Sequence, residues 1–99
     1  MFARVGIYEI PADRHGEARA SFQEAIARIR EVPGLTDAYF LLGTDSERAI
    51  TITLWEDHEA MAASRVTASR LRGDASALVG GDVLSVEEFE VVADRGEHR

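Results

Sequence analysis

Residues 33–61 read PGLTDAYFLLGTDSERAITITLWEDHEAM, and the order of elements in this stretch decides the fold. Leu35 to Gly43 is dominated by aliphatic and aromatic residues, Thr44 to Glu47 is wholly polar, and Arg48 to Glu56 alternates β-branched and apolar residues up to Trp55. Two such runs separated by four polar residues predict a β-hairpin. Pro33 disfavours helical geometry in Val32, and Gly34 accepts the left-handed conformation common at helix exits, so a helix ends just before the hairpin. After it, Asp57 is a good N-cap for the run that begins His58-Glu59-Ala60-Met61. A helix exit, a hairpin and a helix entry therefore follow one another.

Upstream, Phe2 to Ile10 mixes β-branched and aromatic residues until Pro11 and Asp13 break the run, which predicts a first strand. Ala18, Phe22, Ala25, Ile26, Ile29 and Val32 then recur at helical spacing, predicting a long amphipathic helix capped by Asp13. Downstream, the second helix is expected to reach about Leu71 and to be interrupted at Gly73-Asp74, with a short helical turn over Ala75 to Val79. Gly80-Gly81 forces a turn before a last strand from Asp82 to Val92. The order is βαββαβ. Two right-handed crossovers, each skipping one strand position, interleave into an α+β ferredoxin-like fold: a four-stranded antiparallel sheet with both helices on one face. With 99 residues the chain makes one domain, expected over 1–94, with the tail 95–99 frayed.

Helices on one face leave the other face of the sheet to water, and a wet face requires polar residues at alternate positions. The strands lack that alternation. Phe40 and Leu42 oppose Tyr39 and Leu41; Ile50, Ile52 and Leu54 oppose Thr51, Thr53 and Trp55; Ala3, Val5 and Ile7 oppose Phe2, Tyr8 and Ile10. An apolar face of several hundred Å² exceeds what a monomer usually exposes. A two-fold homodimer closed sheet against sheet removes it, and at roughly 25 cal/mol per Å² the burial outweighs association costs. The competing expectation is that Arg4, Glu9, Thr51 and Thr53 mark a face that is merely amphipathic.

Composition narrows the chemistry. A hydrophobic fraction of 45% and a charged fraction of 29% are those of a folding globular chain. Eighteen acidic against 11 basic residues give a net charge of −7, which repels phosphate backbones and anionic membranes, so neither nucleic acid nor membrane is an expected partner. The absence of Cys excludes disulfides, thiolate nucleophiles and sulfur-ligated metals. There is no Lys for a Schiff base and no Asn, and Gln23 carries the only side-chain amide. No targeting pattern or membrane-length apolar run occurs, so a cytoplasmic location is expected.

Pro33-Gly34, Trp55, Glu56-Asp57 and Glu59-Ala60-Met61, in that order around the hairpin, resemble the antibiotic biosynthesis monooxygenase family of dimeric α/β barrels. There a PG turn leads into the second strand, and a Trp closes the third before an acidic or Ser-rich cap and an EA helix. The resemblance implies a homodimer and an activity drawn from a varied set: cofactor-free oxygenases that convert electron-rich aromatics to quinones, haem-degrading enzymes, and small proteins without assigned activity. The first two branches use an Asn with a Trp in the pocket, and the haem branch adds a ligating His. This chain has no Asn, its Trp closes a strand, and no His lies in the second half of the following helix.

The residues themselves offer a short set of ligand-pocket candidates, and no catalytic residue can be assigned. Trp55 at a strand end can stack on an aromatic ligand or anchor a core. Tyr8 and Tyr39 can orient a phenol or fill cross-strand space. Thr51 and Thr53 share the face of Trp55, and β-propensity explains them equally well. His58 can serve as a base near neutral pH or stand exposed in a first helical turn. His15 and His98 show no metal spacing, so no metal site and no cofactor are expected. Glu87, Glu88 and Glu90 can be read as a catalytic carboxylate pair but fit better as guards of an edge strand, and Arg65, Arg70 and Arg72 read as a solvated helix face that can also grip a carboxylate. Two functions remain: a cofactor-independent monooxygenase of a small electron-rich aromatic, with Trp55, Tyr8, Tyr39 and the threonines around the ring, or a non-catalytic homodimer that binds a small molecule or serves a structural role.

Overall fold

The computed structural model describes residues 1–94; the tail 95–99, expected to fray, lies outside them. Strand β1 (Phe2–Glu9) is central, flanked by β3 (Arg48–Trp55) and β4 (Asp82–Glu90), with β2 (Leu35–Leu42) outside β3. The order β2-β3-β1-β4 is antiparallel throughout, as the two interleaved crossovers require. Helix α1 (His15–Ile29) links β1 to β2, while α2 (His58–Ala63) and α3 (Arg65–Ala77) link β3 to β4. No helix among the described residues is long and apolar enough to cross a membrane.

Local chemistry explains most boundaries. The Asp57 carboxylate accepts the Ala60 N–H at 2.8 Å, capping α2 as expected. Gly34 has φ +88°, its carbonyl accepts the Glu56 N–H at 2.8 Å, and a Cβ there would run into the Ala60 Cβ. The PG turn and the start of α2 are thus packed on one another, and only glycine fits the junction.

Three boundaries differ from expectation. Asp13 sits inside a 3-10 turn (Ala12–Arg14), and the residue preceding α1 is Arg14, which makes no side-chain cap. The second helical region breaks at Ser64, and α3 runs unbroken through Gly73-Asp74. Ser64 is buried, and its hydroxyl donates to the Met61 carbonyl at 2.7 Å, a local bond that competes with the helical ladder; Gly73 costs about 1 kcal/mol, which the burial of Ala68 and Ala75 on the same helix offsets. β4 ends at Glu90, short of Val92.

Two apolar clusters lie between helices and sheet. One gathers Tyr8, Ile10, Phe22, Ala49 and Val79, with Phe22 edge-on to Tyr8 at 5.2 Å and stacked on Phe40 at 4.2 Å. The other gathers Ile29, Trp55, Met61 and Ala68. Arg4, Thr51 and Thr53 belong to this covered side, since their polar atoms bond Ser64, Tyr8 and Trp55 respectively. The amphipathic reading therefore loses three of its four residues. The opposite face carries Val5, Ile7, Ile50, Ile52 and Leu54, with Tyr39, Leu41 and Phe89 exposed beside them.

The junction supplies a test of this account. In urea unfolding, Asp57→Ala should cost about 1 kcal/mol for the lost cap. Gly34→Ala should cost more, because it adds a left-handed alanine and a clash.

Candidate functional site

A cleft opens between the inner faces of α1 and α3 and the sheet. Phe22, Ile26 and Ile29 of α1 and Leu71 of α3 give it apolar walls, Tyr8 and Thr51 give it a polar floor, and Arg4 and Arg72 are its charged members. Its volume is about 50 Å³, room for a few water-sized groups and well short of the roughly 300 Å³ at which small-molecule pockets usually begin.

The floor is built around an absent side chain. Tyr8 and Thr51 share a hydrogen bond of 2.8 Å between their hydroxyls, directly over Gly6, and a Cβ on Gly6 would lie 2.7 Å from the Tyr8 hydroxyl and 2.8 Å from the Thr51 oxygen. Glycine at position 6 is what lets both hydroxyls converge there. Burial pushes the Tyr8 phenol above its ordinary pKa, opposed by the Thr51 bond and the nearby Arg72 charge. Tyr8 therefore stays a neutral hydroxyl at physiological pH, donor and acceptor at once.

Behind the floor is a buried charge cluster that the sequence does not announce. Arg4 is 4% exposed, and its guanidinium donates to the Met61 carbonyl at 2.8 Å, the Ser64 hydroxyl at 3.1 Å and the Glu88 carboxylate at 3.0 Å. Arg65 grips the same carboxylate from the surface at 2.6 Å. Held first by Arg65 and then by Arg4 against the opposing effect of burial, Glu88 is lowered to about 2. The edge-strand reading of Glu88 is thereby corrected: β4 is an edge strand, but this carboxylate turns inward, set opposite Arg4 by the β1–β4 register. Likewise, Arg65 is an ion-pair partner and Arg72 a cleft residue, so the solvated arginine face keeps only Arg70.

The sequence candidates divide. Tyr8, Thr51 and Thr53 meet along the cleft. Trp55 lies behind it, fully buried against Ile29, Met61 and Ala68; its indole N–H donates to the Thr53 hydroxyl at 3.0 Å, and the Arg4 guanidinium stands 5.6 Å from its ring. The indole is thus a packing and cation–π anchor. Tyr39 borders the cleft from β2, but register pairs it with Ile52 on the open face, and its exposed hydroxyl donates to Asp37 at 2.6 Å. His58 is exposed at the start of α2, edge-on to Phe2 at 5.5 Å. Among the described residues no group of three or more His, Asp or Glu side chains is placed to hold a metal. Sequence reasoning does not place Arg4 or Gly6 in the site, and it reaches Arg72 only as part of a solvated helix face that can also grip a carboxylate. An arginine in a strand otherwise rich in apolar residues was the one available signal for Arg4.

Comparison with known proteins agrees with this frame. The sequence profile described as antibiotic biosynthesis monooxygenase matches residues 1–72. The chain belongs to that family. No curated protein matches it. Among solved structures it is similar to SnoaB, a cofactor-independent oxygenase from Streptomyces nogalater, with 16% identity over 97% of each chain and a TM-score of 0.77. It is also similar to the haem degrader MhuD from Mycobacterium tuberculosis, solved with two haems bound in its active site, with 25% identity over 97% of this chain and all of that one and a TM-score of 0.72. The ferredoxin-like architecture is therefore one this chain shares with solved structures similar to it, and the family to which it belongs is a monooxygenase-like one.

Two measurements probe the site. Gly6→Ala should separate the floor hydroxyls and destabilise the protein by about 1–3 kcal/mol, with Tyr8 fluorescence or NMR shifts reporting the displaced ring. For Glu88, a carboxyl lowered in the fold stabilises above its unfolded value near 4.5, and that contribution is lost as pH falls through about 2. Glu88→Gln should remove that part of the acid-side loss, and at pH 7 it should cost about 3 kcal/mol by stranding Arg4.

Proposed function

We propose that the protein is a cofactor-independent oxygenase of a small electron-rich aromatic, working as a homodimer of the 1–94 domain in the cytoplasm, with the α1–α3–sheet cleft as its site. The observation that carries this reading is the convergence of the Tyr8 and Thr51 hydroxyls and a guanidinium on a cleft whose walls are apolar. Such a lining orients a phenolic ring by its oxygens and keeps water from its carbon edge. The deprotonated substrate passes an electron to dioxygen, the radical pair joins as a hydroperoxide, and water leaves. For a ring methylene the balance is CH2 + O2 → C=O + H2O, which consumes no external reductant.

The small volume of the cleft and the internally bonded Trp55 indole favour a second reading, a homodimer that binds a small molecule without turning it over. Oxygen uptake with a panel of anthrones, hydroquinones and polyphenols separates the two. The oxygenase reading expects protein-dependent uptake that falls at least tenfold in Tyr8→Phe. Uptake equal with and without protein across the panel leaves only the second.

The homodimer is supported by the sheet face opposite the helices, where aliphatic side chains of β1 and β3 stand in one patch with Leu41 and Phe89, each more than 40% exposed. A second copy covers this patch. Sedimentation should give a dimer for the native chain and a monomer for Ile52→Asp, which places a charge at the centre of the patch.

A further inference from the structure

The cleft's lining contains two charged residues, Arg4 and Arg72, and no acid, although the whole chain carries a net charge of −7. The two arginines differ in kind. Arg4 spends its donors on Glu88, Ser64 and the Met61 carbonyl. Arg72 is half-buried and, among the described residues, makes no hydrogen bond and no ion pair. Every other described arginine is bonded by a side chain or a carbonyl, as Arg4, Arg14, Arg28 and Arg65 are, or is exposed to water, as Arg19, Arg30, Arg48 and Arg70 are.

A guanidinium partly withdrawn from water with no partner is unfavourable unless something else completes it. The local field makes the omission sharper. The Glu88 carboxylate that meets Arg4 is already divided between Arg4 and Arg65. Arg72 feels the like charge of Arg4, and it shares the cleft lining with the neutral Tyr8 hydroxyl. Two cations thus face an apolar space with no anion of the protein's own inside it.

We infer that Arg72 is the anion-recognition group of the cleft, and that the ligand is an aromatic bearing an anionic oxygen, carboxylate or phenolate. This rests on the cleft being the ligand site, as proposed above, and adds the charge of what enters it. The planar fork of a guanidinium matches a carboxylate and also accepts a single phenolate oxygen. The 50 Å³ of free volume suits such a head group, with the ring lying along the apolar Ile26 and Leu71 side chains of the lining. For a phenolic substrate the same charge favours the deprotonated form, from which oxidation starts.

The test is equilibrium binding at neutral pH of two anionic probes, 2-naphthoate for carboxylate and 4-nitrophenolate for phenolate, each against its neutral counterpart, methyl 2-naphthoate and 4-nitroanisole. The native protein should bind at least one anion tenfold or more tighter than its neutral counterpart, and whichever pair shows the preference identifies the head group. Arg72→Gln should erase that preference, bringing the affinity for the anion down to that for its neutral counterpart without lowering the melting temperature, and Arg72→Lys should restore part of it. Equal binding of anion and neutral in the native protein, or a preference that survives Arg72→Gln, overturns the inference and leaves the cleft as an aromatic site. Binding of none of the four probes overturns the site reading together with it.

Discussion

The structure depends on one buried cation. Arg4 lies on the middle strand under the helices, where an unpaired guanidinium would cost several kcal/mol, and its partners come from three places in the chain. Glu88 comes from the edge strand, the Met61 carbonyl from within α2, and Ser64 from the break between α2 and α3. Satisfying Arg4 therefore fixes the β1–β4 register, the place where the second helical region bends, and the angle at which α3 descends over the sheet. That angle brings Arg72 and Leu71 opposite α1 and so defines the cleft.

Each side of the sheet then has its own chemistry. The covered side combines an aromatic cluster around Phe22 with a polar seam through Arg4, Thr53, Thr51 and Tyr8, in which each hydroxyl or indole N–H has a partner. Buried polar groups are tolerated when fully satisfied, and among the described residues none of the buried side-chain polar atoms is left without a partner. The uncovered side carries a patch of aliphatic side chains from β1 and β3, with Tyr39, Leu41 and Phe89 exposed beside it. The division gives a small domain two chemically distinct surfaces, a lined cleft under the helices and an open apolar face on the other side of the sheet.

Much of the architecture was legible because local signals and global pattern agree. Pro33-Gly34 and Asp57 act where they stand in sequence, through a φ of +88° and a 2.8 Å cap, and the hairpin between them needs no distant partner. Tyr8 and Thr51 were legible as candidates for the same reason, since strand alternation puts both under the helices. What was not legible depends on pairing between strands far apart in sequence. Nothing near Arg4 names Glu88, 84 residues away, or Ser64, and without that pairing Glu88 reads as an exposed edge charge and Ser64 as an ordinary helix residue. Trp55 drew attention by its residue type, yet the same pattern cannot show that Thr53 already takes its N–H.

Side-chain NMR of the arginine Nε–H groups tests the central claim most directly, because it reads Arg4 and Arg72 in one spectrum of the unmodified protein. The account predicts an Arg4 Nε–H that exchanges with water far more slowly than that of exposed Arg70, and an Arg72 Nε–H that exchanges freely until an anionic ligand slows it. An Arg4 signal exchanging as fast as that of Arg70 would contradict the claim that this buried cation organises the fold and its cleft.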